Sequence, residues 1–261
     1  MKFIDIHNHF AWDVDDGMDT KEHALCALQH AHEDGIQTII ATPHLVPGVH
    51  PLSHIQTLKN RILELKELAK SCDISIYSGC ELFLNSSYFE FIECENLLTL
   101  ADSKYLLCEF DVRKDINHNE EAESMLYEIM VRDLVPVIAH VERYFHSSLD
   151  LNRIQEWIDA GYIIQVNRTS FLGYHGKQAK KNAFTLLNRG MIHIVASDAH
   201  RFEGARIAKL SDVYKLIADE VGTYNAKLLL FDNPNHILNH EAIVSMKAIQ
   251  KQTWISRLLR R

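Results

Sequence analysis

What the 261-residue chain lacks narrows it before any motif is read. No apolar run approaches the roughly 20 residues that a bilayer-crossing helix needs. No basic stretch followed by an apolar one marks a signal peptide at the start. Positive charge is not in excess: 27 Lys and Arg stand against 35 Asp and Glu, a formal net charge of −8. That balance argues against a general nucleic-acid binder, which needs a basic face for phosphate. Cysteine is scarce and unpatterned. Cys26, Cys72, Cys80, Cys94 and Cys108 form no C-x-x-C pair, which favours reduced thiols in a cytoplasm over a disulfide framework. None of them has an Arg six residues later, so the Cys-x5-Arg phosphate loop is absent. Neither H-E-x-x-H nor G-x-S-x-G occurs, and "GYHGKQ" is too short for a nucleotide P-loop. Linkers, repeats and low-complexity tracts are missing as well, so residues 1–261 read as a single domain.

What is there is an alternation. Short apolar runs, "KFIDIH", "QTIIATPH", "ISIYSGCEL", "YLLCEF", "VPVIAHVE", "YIIQVN" and "IHIVASDAH", read as seven strands. Between them lie amphipathic stretches such as "TKEHALCALQHAHEDG", "HIQTLKNRILELKELAKS", "EEAESMLYEIMVRDL", "LNRIQEWIDAG" and "KQAKKNAFTLLNRG". Gly35, Gly161 and Gly190 stand where helices should end in a left-handed residue. Continuous apolar strands separated by helices predict a parallel sheet covered on both sides.

The polar residues decide how that sheet is shaped. Six runs end in potential ligands: His7 and His9, His44, Glu81, Glu109, His140, then Asp198 and His200. The remaining run ends in Asn167 and Arg168. Seven polar strand ends converge on one spot only if the sheet closes, which predicts a (β/α) barrel with its site at the C-terminal ends of the strands. An open doubly wound sheet would gather ligands at one switch point instead.

Alternation along a strand places His7 with His9, and Asp198 with His200, while turning Cys80 and Cys108 away from Glu81 and Glu109. Asp16, Glu81, Glu109 and Asp198 crowded together would repel or take up protons unless cations neutralise them. An imidazole–carboxylate set without thiolates suits Mn or Fe, with Zn also possible, and the donors suffice for two or three ions. Taken singly, each motif has an ordinary alternative. An H-x-H pair can lie on a surface, and "TPH" or "IAH" can be a hydrogen-bonded core histidine. The shared placement at strand ends is what argues for a metal centre. Paired ions are the usual apparatus for displacement at phosphorus. Arg143, three residues beyond His140, and Arg206 beyond His200 fit as phosphate clamps, the alternative being surface salt bridges.

The stretches "DIHNHFAWDVDDG", "ATPH", "GCEL", "EF", "PVIAHVERY", "QVN", "ASDAH", "GAR" and "DNP" together resemble the PHP (polymerase and histidinol phosphatase) superfamily. Within it the chain is similar to the bacterial manganese-dependent tyrosine-protein phosphatases of capsule and exopolysaccharide loci. The resemblance implies a distorted TIM-like (β/α)7 barrel with a trinuclear metal site. One ion would be held by His7, His9, Glu81 and Asp198. A second would take Glu81, Glu109 and His140, and a third Asp16, His44 and His200. It further implies Mn2+ as the ion, Arg143 and Arg206 as phosphate ligands, and the phosphorylated tail of a membrane-bound tyrosine kinase as substrate. The acidic "EFDVRKDINHNEEAE" and the terminal "KAIQKQTWISRLLRR" depart from the family pattern.

On this reading the reaction is in-line hydrolysis of phosphotyrosine without a phosphoenzyme, with Asp198 or His200 as the candidate proton source. A small-molecule phosphatase acting on a substrate such as histidinol phosphate would need the same ions in a closed polar pocket. A docking module with little turnover would need no paired arginines. The aromatic-rich residues 82–108 form either an open rim for a peptide or a segment packed on the barrel. The C-terminal helix, with Lys247, Lys251, Arg257, Arg260 and Arg261 beside Ile243, Met246, Ile249 and Trp254, either meets a membrane or kinase or complements its own dipole. A cytoplasmic location follows, at the membrane's inner face if the kinase holds the protein there. The chain leaves open whether it acts alone or as a homo-oligomer.

Overall fold

The structure, a computed structural model, describes residues 2–247. Its strands are β1 (Phe3–Asp5), β2 (Ile36–Ala41), β3 (His44–Leu45), β4 (Ser75–Ser78) and β5 (Glu81–Phe83). They continue with β6 (Tyr105–Glu109), β7 (Val135–Ile138), β8 (Ile163–Asn167) and β9 (Ile194–Ala196). All pairings between them are parallel, in the orders β1-β2-β4 and β3-β5-β6-β7-β8-β9. Two of the seven expected runs are therefore each cut in two. "QTIIATPH" breaks at Thr42–Pro43, where proline has no N–H to give a ladder. "ISIYSGCEL" breaks at Gly79, whose missing Cβ would lie 3.1 Å from Ile40 and Thr42 methyls. The halves stay in line, so seven staves remain.

Closure between the last stave and the first is thin in backbone terms. A single bridge joins Asn8 to Ala199, with His9 N–H donating to Ala199 O at 2.8 Å and Asp198 N–H to His7 O at 2.9 Å. Below it, the buried Asp5 carboxylate replaces a ladder, accepting from Ser197 N–H at 3.0 Å and Ser197 Oγ at 2.6 Å. The seam is a side-chain weld.

The strands' period of two splits the apolar residues into two clusters. Ile6, Ile40, Leu107, Val137, Ile163 and Ile194 form an inner core. Their neighbours, including Ile39, Cys108, Ile138 and Ile164, pack with helix residues such as Leu58, Trp157 and Leu186. The expected helices form at Lys21–Asp34, His54–Ala69, Ala122–Met130, Leu151–Asp159 and Gly176–Arg189. Thr20 and Asp150 cap the first and fourth, and Gly35 and Gly190 end the first and fifth in left-handed conformation. Among the described residues no helix is long and apolar enough to cross a membrane.

The C-terminal helix expectation needs correction where it can be seen. Residues 241–247 carry no helix; they run as a strap. Ile243 packs against the inner cluster and Met246 against the outer one, burial that a regular amphipathic turn would not give on both sides. The "DNP" asparagine is what holds the strap. Buried Asn233 donates to His193 O and Val244 O, both at 2.8 Å, and accepts from Val244 N–H at 3.0 Å. Asn225 makes the same paired contact with Lys247. Ile249, Lys251, Trp254, Arg257, Arg260 and Arg261 lie outside the described residues.

Removing that amide strands buried backbone groups, each worth about 1–3 kcal/mol. Asn233→Ala is expected to destabilise the fold by about 2–3 kcal/mol while Mn2+ affinity of the folded protein stays unchanged. Urea melts and calorimetry check both halves.

Candidate metal centre

Glu81 opens β5 on the barrel's inner face, and only 1% of it meets solvent. Four imidazoles surround its carboxylate. His7 Nε2 lies 3.1 Å away, His9 Nε2 3.3 Å, His44 Nδ1 3.2 Å and His140 Nε2 3.1 Å. Glu109, at the end of β6, sits 3.1 Å from His44 and 3.5 Å from His140. Asp198 approaches His7 at 3.5 Å, His9 at 3.6 Å and His200 at 3.3 Å. Asp16, from the loop after β1, lies 3.4 Å from both His44 and His200. All nine expected ligand residues thus meet. They fall into overlapping groups whose donor atoms are within 4.8 Å of one another: His9, Asp16, His44, His200; His7, His9, Asp198; His7, Glu81, His140; and His44, Glu81, Glu109.

Period-two alternation explains only part of this convergence. β1 stops at Asp5 and β9 at Ala196, so His7, His9, Asp198 and His200 all lie past regular strand. Asp198 adopts φ 52, and the Asp198–His200 pairing comes from a turn rather than from an extended strand. His140 follows the inward-facing Ala139, so alternation would send it outward. A left-handed φ of 34 at His140 turns the chain there. Such conformations cost about 1–2 kcal/mol for non-glycine residues.

Residues that the sequence reading missed aim the imidazoles. Gln165, an amide in the middle of strand β8, accepts from His7 Nδ1 at 3.1 Å and from His140 N–H at 2.8 Å. It donates to Asn167 Oδ1 at 2.9 Å, and Asn167 donates to Asp198 Oδ2 at 2.7 Å. Asp15 accepts from His9 Nδ1 at 2.7 Å and from His44 N–H at 2.9 Å. The bonds at His7 Nδ1 and His9 Nδ1 put the ring proton on the far nitrogen and leave Nε2 to face the centre. Arg201 donates to Asp16 O at 2.6 Å and Gly17 O at 2.8 Å, tying the "DVDDG" loop to the barrel. Gly17 is obligatory there because a Cβ would come within 2.3 Å of His9 O. The signals were a mid-strand glutamine and a doubled aspartate.

These atoms fit a divalent cation. His7 Nε2, His9 Nε2 and His44 Nδ1 are buried yet make no hydrogen bond, although carboxylate oxygens lie close. With the neighbouring carboxylate oxygens they fall into groups within 4.8 Å of one another, as donors around a shared ion would. Protons stand in for cations in the metal-free protein. Burial opposes charge on His7 and His44, but Glu81, with Asp198 for His7 and Glu109 for His44, raises them to about 9 and about 10. Burial likewise opposes ionisation of Glu81, and His7 and His44 hold it well below the ordinary carboxylate range.

A cavity of about 220 Å3 opens over the centre, lined on one side by Arg143 and Arg206. Arg206 donates to both Asp198 oxygens at 3.0 Å, and Arg143 stands 3.6 Å from Asp198. Arg168 turns away. It grips Asp212 at 2.7 and 2.9 Å and Ala205 O at 3.0 Å, fixing the loop that presents Arg206. Cys80 and Cys108 face the helix-side core as expected, and all five cysteines are free thiols. Of the two arrangements open for residues 82–108, the packed one is favoured: Phe91, Ile92, Leu98 and Leu100 are buried on the barrel.

Fold and site define a seven-stave (β/α) barrel whose mouth gathers nitrogen and oxygen donors suited to divalent cations. The chain belongs to the CpsB/CapC family of capsular polysaccharide synthesis, whose profile matches residues 3–239. It is 33% identical over 247 residues to the tyrosine-protein phosphatase CpsB of Streptococcus pneumoniae, covering 92% of this chain and 100% of the relative. The CpsB of Streptococcus agalactiae serotype III is 30% identical over 249 residues, with 92% and 100% covered. A crystal structure from work on Bacillus subtilis YwqE and S. pneumoniae CpsB, described as unique metal-dependent tyrosine phosphatases, superposes with a TM-score of 0.83 at 27% identity. That match covers 93% of this chain and 97% of the other.

To act as ligands His7 and His44 would have to shed protons, so Mn2+ loading is expected to release protons, and affinity to rise as pH climbs toward about 9. Calorimetry in buffers of differing ionisation enthalpy reads the released protons; affinity independent of pH would refute the proton-for-metal exchange. Gln165→Leu, which frees two donors, is expected to weaken Mn2+ binding about 10- to 100-fold, measured by competition with a chelating dye.

Proposed function

We propose that this chain is a manganese-dependent protein-tyrosine phosphatase acting on the phosphorylated cytoplasmic tail of a bacterial tyrosine kinase that controls polysaccharide export. The observation that carries the reading is the set of bondless, buried imidazole nitrogens around Glu81 beneath two arginines at an open mouth. His7, His9, Glu81 and Asp198 would hold one ion, Glu81, Glu109 and His140 a second, and Asp16, His44 and His200 a third. When bound, such ions polarise phosphoryl oxygens and make water acidic enough to supply hydroxide near neutral pH.

Arg143 and Arg206 bind the phosphate. In the free protein both lean on Asp198, and a phosphate dianion gives their forks a better partner. As charge spreads over the equatorial oxygens during in-line displacement, the same N–H groups tighten on them. Asp198 is held well below its ordinary value; its burial opposes this, but Arg206 and His200 outweigh it. Burial and the neighbouring His9 push His200 down to about 4. With Asp198 held as a carboxylate and His200 as a neutral imidazole, both are free to serve as ligands. A phenolate, with a parent pKa near 10, leaves without a strong acid and takes its proton from solvent. The kinase would then be the means by which the protein reaches the inner face of the membrane.

Chelation with dialysis is expected to abolish hydrolysis of p-nitrophenyl phosphate, and Mn2+ to restore it; activity surviving complete metal removal would sink the reading. Arg143→Ala is expected to lower kcat/KM about 100-fold, the scale of a lost transition-state donor, with bound Mn2+ unchanged by elemental analysis.

A further inference from the structure

Beside the centre runs a second cavity, of about 900 Å3, that neither the metals nor the arginines use. Phe83, Asp111 and Arg113 line both, so the two spaces adjoin. Apolar groups from Leu84, Phe110, Ile116 and Met125 supply the groove's interior. Its outer wall is the acidic segment 111–121, the stretch that departs from the family pattern.

That wall is prebuilt. Arg153 donates to Ile116 O and to Asn119 O, the latter at 2.7 Å. Asp115 accepts from Ser147 N–H at 3.1 Å and Oγ at 2.7 Å. His146 Nε2 donates to Val112 O at 2.9 Å. Asp111 occupies Arg113 at 2.8 and 3.0 Å and lies 3.9 Å from exposed Lys114, so these two cations of the rim are offset by Asp111 and Asp115, leaving Glu120 and Glu121 in excess. Glu120 and Glu121 stay exposed on the edge. The groove therefore offers apolar surface inside and carboxylates outside, directly beside a mouth that attracts a dianion.

We infer that this groove is the peptide subsite of the phosphatase: it seats a large apolar side chain close to the phosphotyrosine of an extended peptide, and its rim disfavours acidic flanks. The inference rests on the phosphotyrosine reading of the adjoining centre. An extended chain advances about 3.3 Å per residue with alternate side chains on one face, so a residue two positions away meets the groove when phosphotyrosine enters the mouth. Burying that side chain contributes on the order of tenfold in affinity.

The test uses the full-length, manganese-loaded protein with p-nitrophenyl phosphate and with phosphotyrosyl peptides carrying Leu or Asp two residues to either side. Anisotropy of dye-labelled, unphosphorylated versions of the same peptides is read in parallel. Leu peptides should exceed Asp peptides about tenfold in kcat/KM. Ser86→Trp, which fills the groove from an exposed position on its lining, should erase that advantage and leave the aryl phosphate rate unchanged. Glu120→Lys with Glu121→Lys should raise the Asp peptides instead. Indifference to flanks together with no effect of Ser86→Trp on peptides overturns the subsite. If the aryl phosphate itself is not hydrolysed, the phosphatase reading fails separately. Anisotropy then decides the groove: Leu-peptide binding weakened by Ser86→Trp sustains it, and binding that ignores the substitution ends it.

Discussion

One carboxylate with almost no access to water, Glu81, is faced by four imidazoles from three different staves of the barrel. A buried anion is tolerable only with cationic partners, whether protons on the rings or metal ions between them. Every other feature of the molecule's upper end follows from keeping those rings aimed inward. The barrel must close, because His7 and His9 from the first stave have to meet Asp198 and His200 from the last. The weld of Asp5 with Ser197 achieves closure where backbone ladder is nearly lacking.

Beneath the candidate ligands lies a layer whose work is orientation. Gln165 and Asn167 form a relay from His7 to Asp198, while Asp15 fixes His9 and the backbone of His44. Glu142, buried beside them, accepts from Asn167 N–H at 3.2 Å and from Ser170 Oγ at 2.5 Å, so the relay is itself anchored. The left-handed residues His140 and Asp198 belong to the same economy: local strain is held in place by surrounding bonds because the aim of two ligands depends on it.

Above the ligands the chemistry changes sign. Arg143 and Arg206 bring positive charge to one wall of the mouth, whereas the neighbouring groove is apolar with an acidic edge. A small phosphate ester would need the first wall only. The second has a use when the phosphate is attached to a chain, and its loop is braced by Arg153, Asp115 and His146 rather than left free.

Much of this was legible in the linear order of residues. Apolar runs of strand length alternating with helical periods gave the parallel barrel, and ligand-type residues at six run ends located its mouth, because burial and side-chain period are local properties. The strap at 241–247, the broken second and third runs, and the inward turn of His140 were not legible. They depend on contacts with Asn233, on steric fit around Gly79 and on a φ angle that alternation cannot foresee. Gln165 and Asp15 were overlooked for a related reason: an amide or carboxylate becomes an orienting group only once a distant imidazole is brought to it. Composition and spacing determined which atoms bear lone pairs and at which strand ends they lie. Tertiary structure alone decided where those lone pairs point, since direction is set by hydrogen bonds between staves remote in sequence.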